Sequence, residues 1–485
     1  MQGHSPRRIS KRQLIGAVAG TVVLFSFAWS SISAPTESHS VLDALARPTF
    51  NEIRTYERNL PQSPRFTSNG TDLPRYLFFP KALWGSGWNN VFQEQLLNSH
   101  LAYLSQRAYV FPPFTPQDHP PFPDTLPDGK RSLLEIPMNA LVSGPTGGGP
   151  LSDDGSDSIM RRAIPQESWD IVCPWWKTVD VTVDDIMREM RLDGTSDAVD
   201  VMGKFAEKLL KMSAPCVRIQ GGSVFDQLFI GSSRILSLWP SYGHSPILQN
   251  FAWSPLVTAA MFWNFHLLSN DKPPKYLLPR GRRPHKFESF PPLHNSEPPI
   301  AGLLGIHVRR GDFEGHCVNL VNGGADYNAW SALGTPGLPN RPSHPASFDS
   351  VWVALPNYLD IPAGQSRRDA AYDHCWPAPE AIVARANEVR DSAEGRGLGR
   401  IYISTNGDPS WVTDLARLLA IDGWEVSSSL DMELTLEETA VSQAVDMGIL
   451  TAAQVFIGMG FSSLTSNVVQ IRLAGGRRPD TIYFW

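Results

Sequence analysis

Residues 305–315 read GIHVRRGDFEG and follow the apolar positions Ile300, Leu303 and Leu304. Apolar residues continue at Ile306 and Val308 before two arginines and an aspartate appear. This is the pattern of a buried parallel strand whose next residues face a ligand at its carboxyl end. Read alone, Arg309-Arg310 is a surface ion-pairing site and RGD an adhesion tripeptide; the surrounding chain favours a ligand.

Downstream, the strand-like runs IYISTN (401–406) and VFIGMG (455–460) alternate with helical patterns: PEAIVARANEVRDSAEG, WVTDLARLLA, residues 439–453 and SSLTSNVVQIRLAGG (462–476). Such alternation predicts a parallel sheet flanked by helices over 300–485, interrupted by an irregular insertion at 313–376. Upstream, the polar, proline-rich stretch 271–299 reads as a linker. Before it, RYLFFP (75–80), the glycine loop KALWGSGWNN, a helix with apolar residues at Phe92, Leu96, Leu97 and Tyr103, and AYVFPPF (108–114) predict a βαβ unit opening a first domain over 73–270. The expected fold class is α/β, with two Rossmann-like halves facing a cleft. No repeat of solenoid length is present.

The chain has 485 residues, enough for two domains with appendages, and 42% apolar against 19% charged residues mark it as globular. A net charge of −6 gives no general attraction for nucleic acid, which is set aside as a partner.

At the N-terminus, Arg7, Arg8, Lys11 and Arg12 precede a run without charge as far as Glu37. About 20 apolar residues span a hydrocarbon core, and flanking positive charge stays cytosolic. The expectation is a cytosolic tail (1–13), a transmembrane signal anchor (14–33) and a lumenal stem (34–72), giving a single-pass type II protein of the Golgi or ER membrane. A cleaved signal peptide is the alternative, but the run exceeds the usual ~7–15-residue apolar region. The sequon Asn69-Gly70-Thr71 lies in the expected stem and is the candidate N-glycosylation site.

Four cysteines fit two disulfides in that oxidising compartment. Cys173 and Cys216 fall in one half while Cys317 and Cys375 bracket the insertion, so pairing within each half is the simplest of three connectivities. Neither pair has zinc-ligand spacing. The cluster Asp153-Asp154-Gly155-Ser156-Asp157 lies in a Ser/Gly/Asp loop and reads as a solvated turn rather than a metal-binding DxD.

In the expected cleft, Arg309 offers a planar fork suited to bidentate phosphate contact, and FIGMGFSS leads from a strand into a helix whose first N–H groups can hold another phosphate oxygen. Together they suggest a pyrophosphate. Neither a P-loop nor a GxGxxG follows a strand, so ordinary nucleotide triphosphate and dinucleotide sites are not indicated.

HVRRGDF (307–313), YISTN (402–406) and the tail from Asp446 through FIGMGFSSLTSNVVQIR resemble the three C-terminal motifs of the GDP-fucose protein O-fucosyltransferase superfamily. GSGWNN is similar to that family's first glycine-asparagine loop. The resemblance implies a GT-B fold and a membrane-bound or lumenal enzyme that uses GDP-fucose and takes no metal cofactor. It assigns Arg309 to the β-phosphate, Arg310 to the strand end beside it, His307 and Asp446 to guanine, and Asp312 to support of the arginine or the nucleotide pocket. Ser462, Ser463 and Leu464 match the phosphate loop, and Asn89 or Asn90 the asparagine beside sugar and acceptor.

The sequence departs from the family in two places. Ser86 stands where some members carry a glutamate base, with Glu94 as a possible substitute that otherwise reads as a solvated helix charge. Leu464 stands where some relatives have an aromatic residue. The expected activity is inverting transfer of L-fucose to a hydroxyl of a protein or glycan. The alternatives are another GDP-sugar or a glycan-only acceptor, a catalytically silent GT-B protein that binds a sugar or partner, and an RGD adhesion protein.

Overall fold

A computed structural model describes residues 47–63, 74–80, 87–116, 135–152, 157–280, 287–325, 327–333 and 364–485. The expected anchor, the stem sequon at Asn69, Ser86 and most of the Asp153–Asp157 cluster lie outside the described residues. No described helix is long and apolar enough to cross a membrane.

The first sheet contains β1 (Tyr76–Phe78), β2 (Ala108–Phe111), β4 (Ile164–Pro165), β5 (Thr178–Thr182) and β6 (Cys216–Gln220), all parallel, in the order β4-β2-β1-β6-β5. The second contains β9 (Ile300–Val308), β10 (Arg400–Thr405), β11 (Glu425–Ser428), β12 (Ala453–Gly458) and β13 (Ile482–Phe484), again parallel, in the order β11-β10-β9-β12-β13. Both are doubly wound. In the second sheet the chain runs outward from β9 to β11 and then crosses to β12, so the crevice between the carboxyl ends of β9 and β12 is the topological switch point, where open α/β sheets bind ligands. A small antiparallel sheet joins β3 (Val142–Ser143), β7 (Ala252–Trp253) and β8 (Leu293–His294).

The helices that matter below are α1 (Phe50–Arg58), α2 (Trp88–Leu104), α3 (Pro255–Trp263), α4 (Phe313–Asn322), α5 (Arg367–Cys375), α6 (Pro379–Asp391), α7 (Pro409–Ile421), α8 (Ser442–Ala452) and α9 (Ser463–Ala474). Local sequence sets their ends. Thr49 caps α1 with a reciprocal Glu52 contact, Asp408 caps α7 ahead of Pro409, and Ser462 caps α9 by accepting from the Leu464 N–H.

The stretch 271–299, expected as a linker, differs from that reading. Leu277, Phe287, Phe290 and Leu293 are buried, and β8 pairs with β7. Its prolines interrupt regular structure, yet the apolar residues between them have a core to join. Residues 47–485 form one unit, with a core that runs from Phe92 and Leu96 on α2 through Val257 on α3 to Met447 on α8 and Val468 on α9.

Helix α2 shows the consequence. Gln93, Glu94, Gln95, Asn98, Ser99 and His100 are buried along with its apolar residues. Glu94 is therefore not the solvated charge its sequence context suggested: it accepts a hydrogen bond from the Ser223 hydroxyl. A helix wedged between a sheet and a neighbouring helix buries its polar residues too; Gln93 and Glu94 find hydrogen-bond partners, whereas the side chains of Gln95 and His100 have none among the described residues. Disulfides Cys173–Cys216 and Cys317–Cys375 close at Cα separations of 5.7 and 5.8 Å.

Candidate active site

The opening stretch forms the end of β9, and the residues after it turn sharply. Gly311 has φ 62°, and a Cβ there would lie 2.9 Å from Asn406 Nδ2 and 3.2 Å from the Asn406 carbonyl oxygen, so the turn favours glycine. The two arginines that precede this turn have different surroundings. Arg309 is half-exposed, its Nη2 is 3.1 Å from Asp312 Oδ1, and its guanidinium lies 5.7 Å from the centre of the Phe313 ring. Asp312 is exposed and is the carboxylate that the described residues offer Arg309. A fork of five donors held by one such contact keeps donors for a ligand.

Arg310 points elsewhere. Its guanidinium is sandwiched between Trp376 at 4.3 Å and Trp411 at 4.5 Å, and it donates to the Pro377 carbonyl. Its backbone N–H donates to Asn406 Oδ1 at 2.9 Å. Burial pulls its pKa down to about 10, which leaves it charged at neutral pH. Arg310 thus secures the strand end, while Arg309 is the arginine open to the cleft.

His307 is buried at the carboxyl end of β9, with Nε2 3.1 Å from Ser462 Oγ. Burial, reinforced by the positive charge of Arg309, pushes its pKa down to about 3, so the imidazole is neutral. Ser462 leads into α9, whose first turn carries half-buried Ser463 and buried Leu464. The cap occupies the Leu464 N–H, and a helix start of this kind is a ready anion site.

Asp446, on α8, accepts from the Tyr402 hydroxyl at 2.6 Å on one oxygen and from the Ser404 hydroxyl at 2.9 Å on the other. Burial raises its pKa to about 6 against these two hydrogen bonds, although the residue keeps some solvent access. Each oxygen retains acceptor capacity for a ligand N–H. Tyr402 and Ser404 share one face of β10 by the period of a strand, and Asn406 two residues on contacts both the Arg310 backbone and, at 3.4 Å, Asp312. The sequence marks YISTN as a motif but assigns no role to Tyr402, Ser404 or Asn406. Their alternate spacing beside a strand end was the available signal.

The first half contributes the start of α2. Asn89 donates from its side chain to Gln443 Oε1 at 2.7 Å, and its carbonyl accepts from Asn467 Nδ2 at 2.9 Å; Asn90 is half-buried on the same turn. This brings the first glycine-asparagine loop against α8 and α9 of the second half. Asp157 is apart from all of this, in a bidentate pair with Arg162. Among the described residues no group of three or more His, Cys, Asp or Glu is placed to hold a metal ion. A cavity of about 380 Å³ lies outside the cleft between α6 and the end of β13, lined by residues that include Tyr327, His374, Arg385 and Trp485. It contains none of the site residues above.

No family model matches the chain, and no curated protein matches it in sequence. Its structure resembles a crystal structure of POFUT1 in complex with GDP-fucose, with a TM-score of 0.50 and 12% identity, covering 86% of this chain and 99% of that one. A second crystal form of the GDP-fucose complex gives 0.48 at 14% identity, with 86% and 99% covered, and a GDP complex gives 0.45 at 14%, with 85% and 99% covered. The first likeness establishes a GT-B glycosyltransferase fold of mixed α/β architecture with parallel sheets.

Proposed function

We propose that the protein is a fucosyltransferase that moves L-fucose from GDP-fucose to a hydroxyl of a protein or glycan, with inversion and without a metal. The observation that carries this reading is the grouping of the Arg309 fork, the neutral His307 and the Ser462-capped helix at the switch point of a GT-B sheet. The fold it shares with a protein crystallised with GDP-fucose supports the choice of donor.

In this reading Asp446 accepts hydrogen bonds from guanine N1–H and the 2-amino group, with His307 beside the base. Arg309 holds the β-phosphate bidentately, supported by Asp312, and the Ser463 N–H with the positive end of α9 holds the remaining phosphate oxygens, the Ser462 and Leu464 N–H groups being engaged by the Met459 carbonyl and by the cap. Asn89 and Asn90 stand beside the sugar and acceptor. The acceptor oxygen forms its bond to fucose C1 as the bond from C1 to the β-phosphate oxygen breaks. GDP departs with that electron pair, and the hydroxyl proton is released. Charge grows on the leaving phosphate as the oxocarbenium-like centre passes between the two oxygens. Arg309 and the helix donors are already aimed there, so their attraction strengthens toward the transition state. Glu94 is not the base in this scheme, because it is buried and engaged with Ser223.

The test is donor turnover and transfer to a panel of peptide and glycan acceptors, with radiolabelled GDP-fucose and with other GDP-sugars, each with and without EDTA. Turnover of GDP-fucose unaffected by EDTA supports the reading. Preference for a different GDP-sugar reassigns the donor, and binding without turnover of any would make the protein a sugar-binding relative.

A further inference from the structure

Within the region that reads as an insertion, residues 327–333 thread into the junction of the two halves. Tyr327 is buried with its ring 5.0 Å from Phe461 and 5.3 Å from Phe484, and it covers Gly460 so closely that any Cβ there would collide with the ring. The Asn328 N–H donates to the Gly460 carbonyl at 2.9 Å. Two residues on, the Trp330 N–H donates to Ser466 Oγ at 3.0 Å. Between them Ala329 has φ 43°, a conformation an alanine adopts only where its surroundings hold it. The turn it makes lets both N–H groups reach the glycine loop and the first turn of α9.

The opposite half takes part through Gln93 on α2. Its Nε2 donates to the same Ser466 hydroxyl at 2.8 Å and approaches Asn328 Oδ1 at 3.3 Å. The Trp330 ring completes the anchorage, 5.3 Å from both Trp239 and Tyr242 of the first half. One hydroxyl therefore joins three chain segments, and all lie directly behind Gly460–Ser463.

We propose that Tyr327–Trp330 is a positioning strap for the diphosphate end of the donor site, a role that rests on the GDP-sugar reading above. It fixes the Gly460 peptide and the first turn of α9, so that the loop donors stay aimed at the β-phosphate. Its hydrogen bonds go to Gly460 and Ser466, whereas Asp446 is held by Tyr402 and Ser404 on a separate part of the site. The strap thus sets phosphate recognition and leaves base recognition alone.

Calorimetric binding of GDP and GMP to the full-length protein tests this, because the two differ by the β-phosphate. The wild type is expected to prefer GDP. Ser466→Ala removes the shared hydroxyl, Tyr327→Leu removes the ring over Gly460, and Ala329→Gly removes a buried methyl and frees the turn while keeping both N–H donors. In the variants that keep the wild-type circular dichroism spectrum, GDP affinity should fall by about tenfold, as for loss of a buried hydrogen bond, with GMP affinity unchanged. Equal losses for both nucleotides, or an unchanged GDP-to-GMP ratio, would overturn the strap while leaving the donor reading intact. A wild type that binds neither nucleotide overturns the donor reading and the strap with it.

Discussion

His307 and Ser462 are 155 residues apart in sequence and meet at 3.1 Å across the carboxyl ends of the adjacent strands β9 and β12. That single contact joins the arginine-bearing strand end to the start of α9. A pair of neighbouring parallel strands that diverge in connection leaves such a crevice by topology alone, and the phosphate site proposed here occupies it.

The two arginines should separate in experiment. Arg309→Lys keeps the charge but loses the fork, so GDP-fucose turnover should fall more than a hundredfold, about 3 kcal/mol of transition-state stabilisation, at an unchanged melting temperature. Arg310→Lys loses the stack between Trp376 and Trp411. It should lower stability by about 1–2 kcal/mol and affect turnover less. Near-normal turnover of Arg309→Lys, read with matched thermal melts, would remove the phosphate role.

If Asp446 binds guanine as proposed, GDP binding should depend on pH. Its pKa is raised by burial to about 6, and hydrogen bonds from guanine favour the ionised carboxylate. GDP affinity should therefore weaken as pH falls below about 6, approaching tenfold per pH unit for a single proton. Asp446→Asn should bind weakly with a flat profile between pH 5 and 7. Titrations of both proteins would decide it, and an identical slope in the variant would sever the carboxylate from the nucleotide.

Glu57 should govern part of the pH dependence of stability. It is buried on α1, accepts from the backbone and side chain of Asn139, and burial raises its pKa from 4.5 to about 7. The folded state therefore binds this proton more tightly than the unfolded state. The resulting stability is fully present below about pH 4.5 and is lost as pH rises through 7. Melting curves from pH 4.5 to 8 should show this loss in the wild type and a shallower one in Glu57→Gln.

The Cys317–Cys375 bridge closes a sequence separation of 58, worth roughly 4 kcal/mol in the chain-entropy model. Trp376, next to Cys375, forms one side of the Arg310 sandwich. The double variant Cys317→Ser/Cys375→Ser should melt lower and lose turnover as the stack loosens. Free thiols at both positions in non-reducing peptide maps of the native protein would contradict the bridge.

For the N-terminal segment, protease added to sealed microsomes should spare the catalytic unit, and Asn69 should carry a glycan that a glycosidase removes. Digestion of the whole chain from the cytosolic side would refute the lumenal assignment.

By itself the sequence determined what depends on local pattern. Short apolar runs located β9, β10 and β12 and helical spacing the helices between them, and the isolation of two cysteines in each half pointed to pairings the structure contains. Arg309 and Ser462 stood out in the sequence because they directly follow strands, whereas Asp446, on α8, was singled out only by the family resemblance. The structure decided what depends on contact between distant segments. It set the different fates of two adjacent arginines, the engagement of Asp446 by Tyr402 and Ser404, and the burial of Glu94. It also brought Tyr327–Trp330 behind the glycine loop and drew the described parts of 271–299 into the fold. In each case the residue type permits several environments, and the free energy of desolvation and pairing that selects one arises only when segments far apart in sequence pack together.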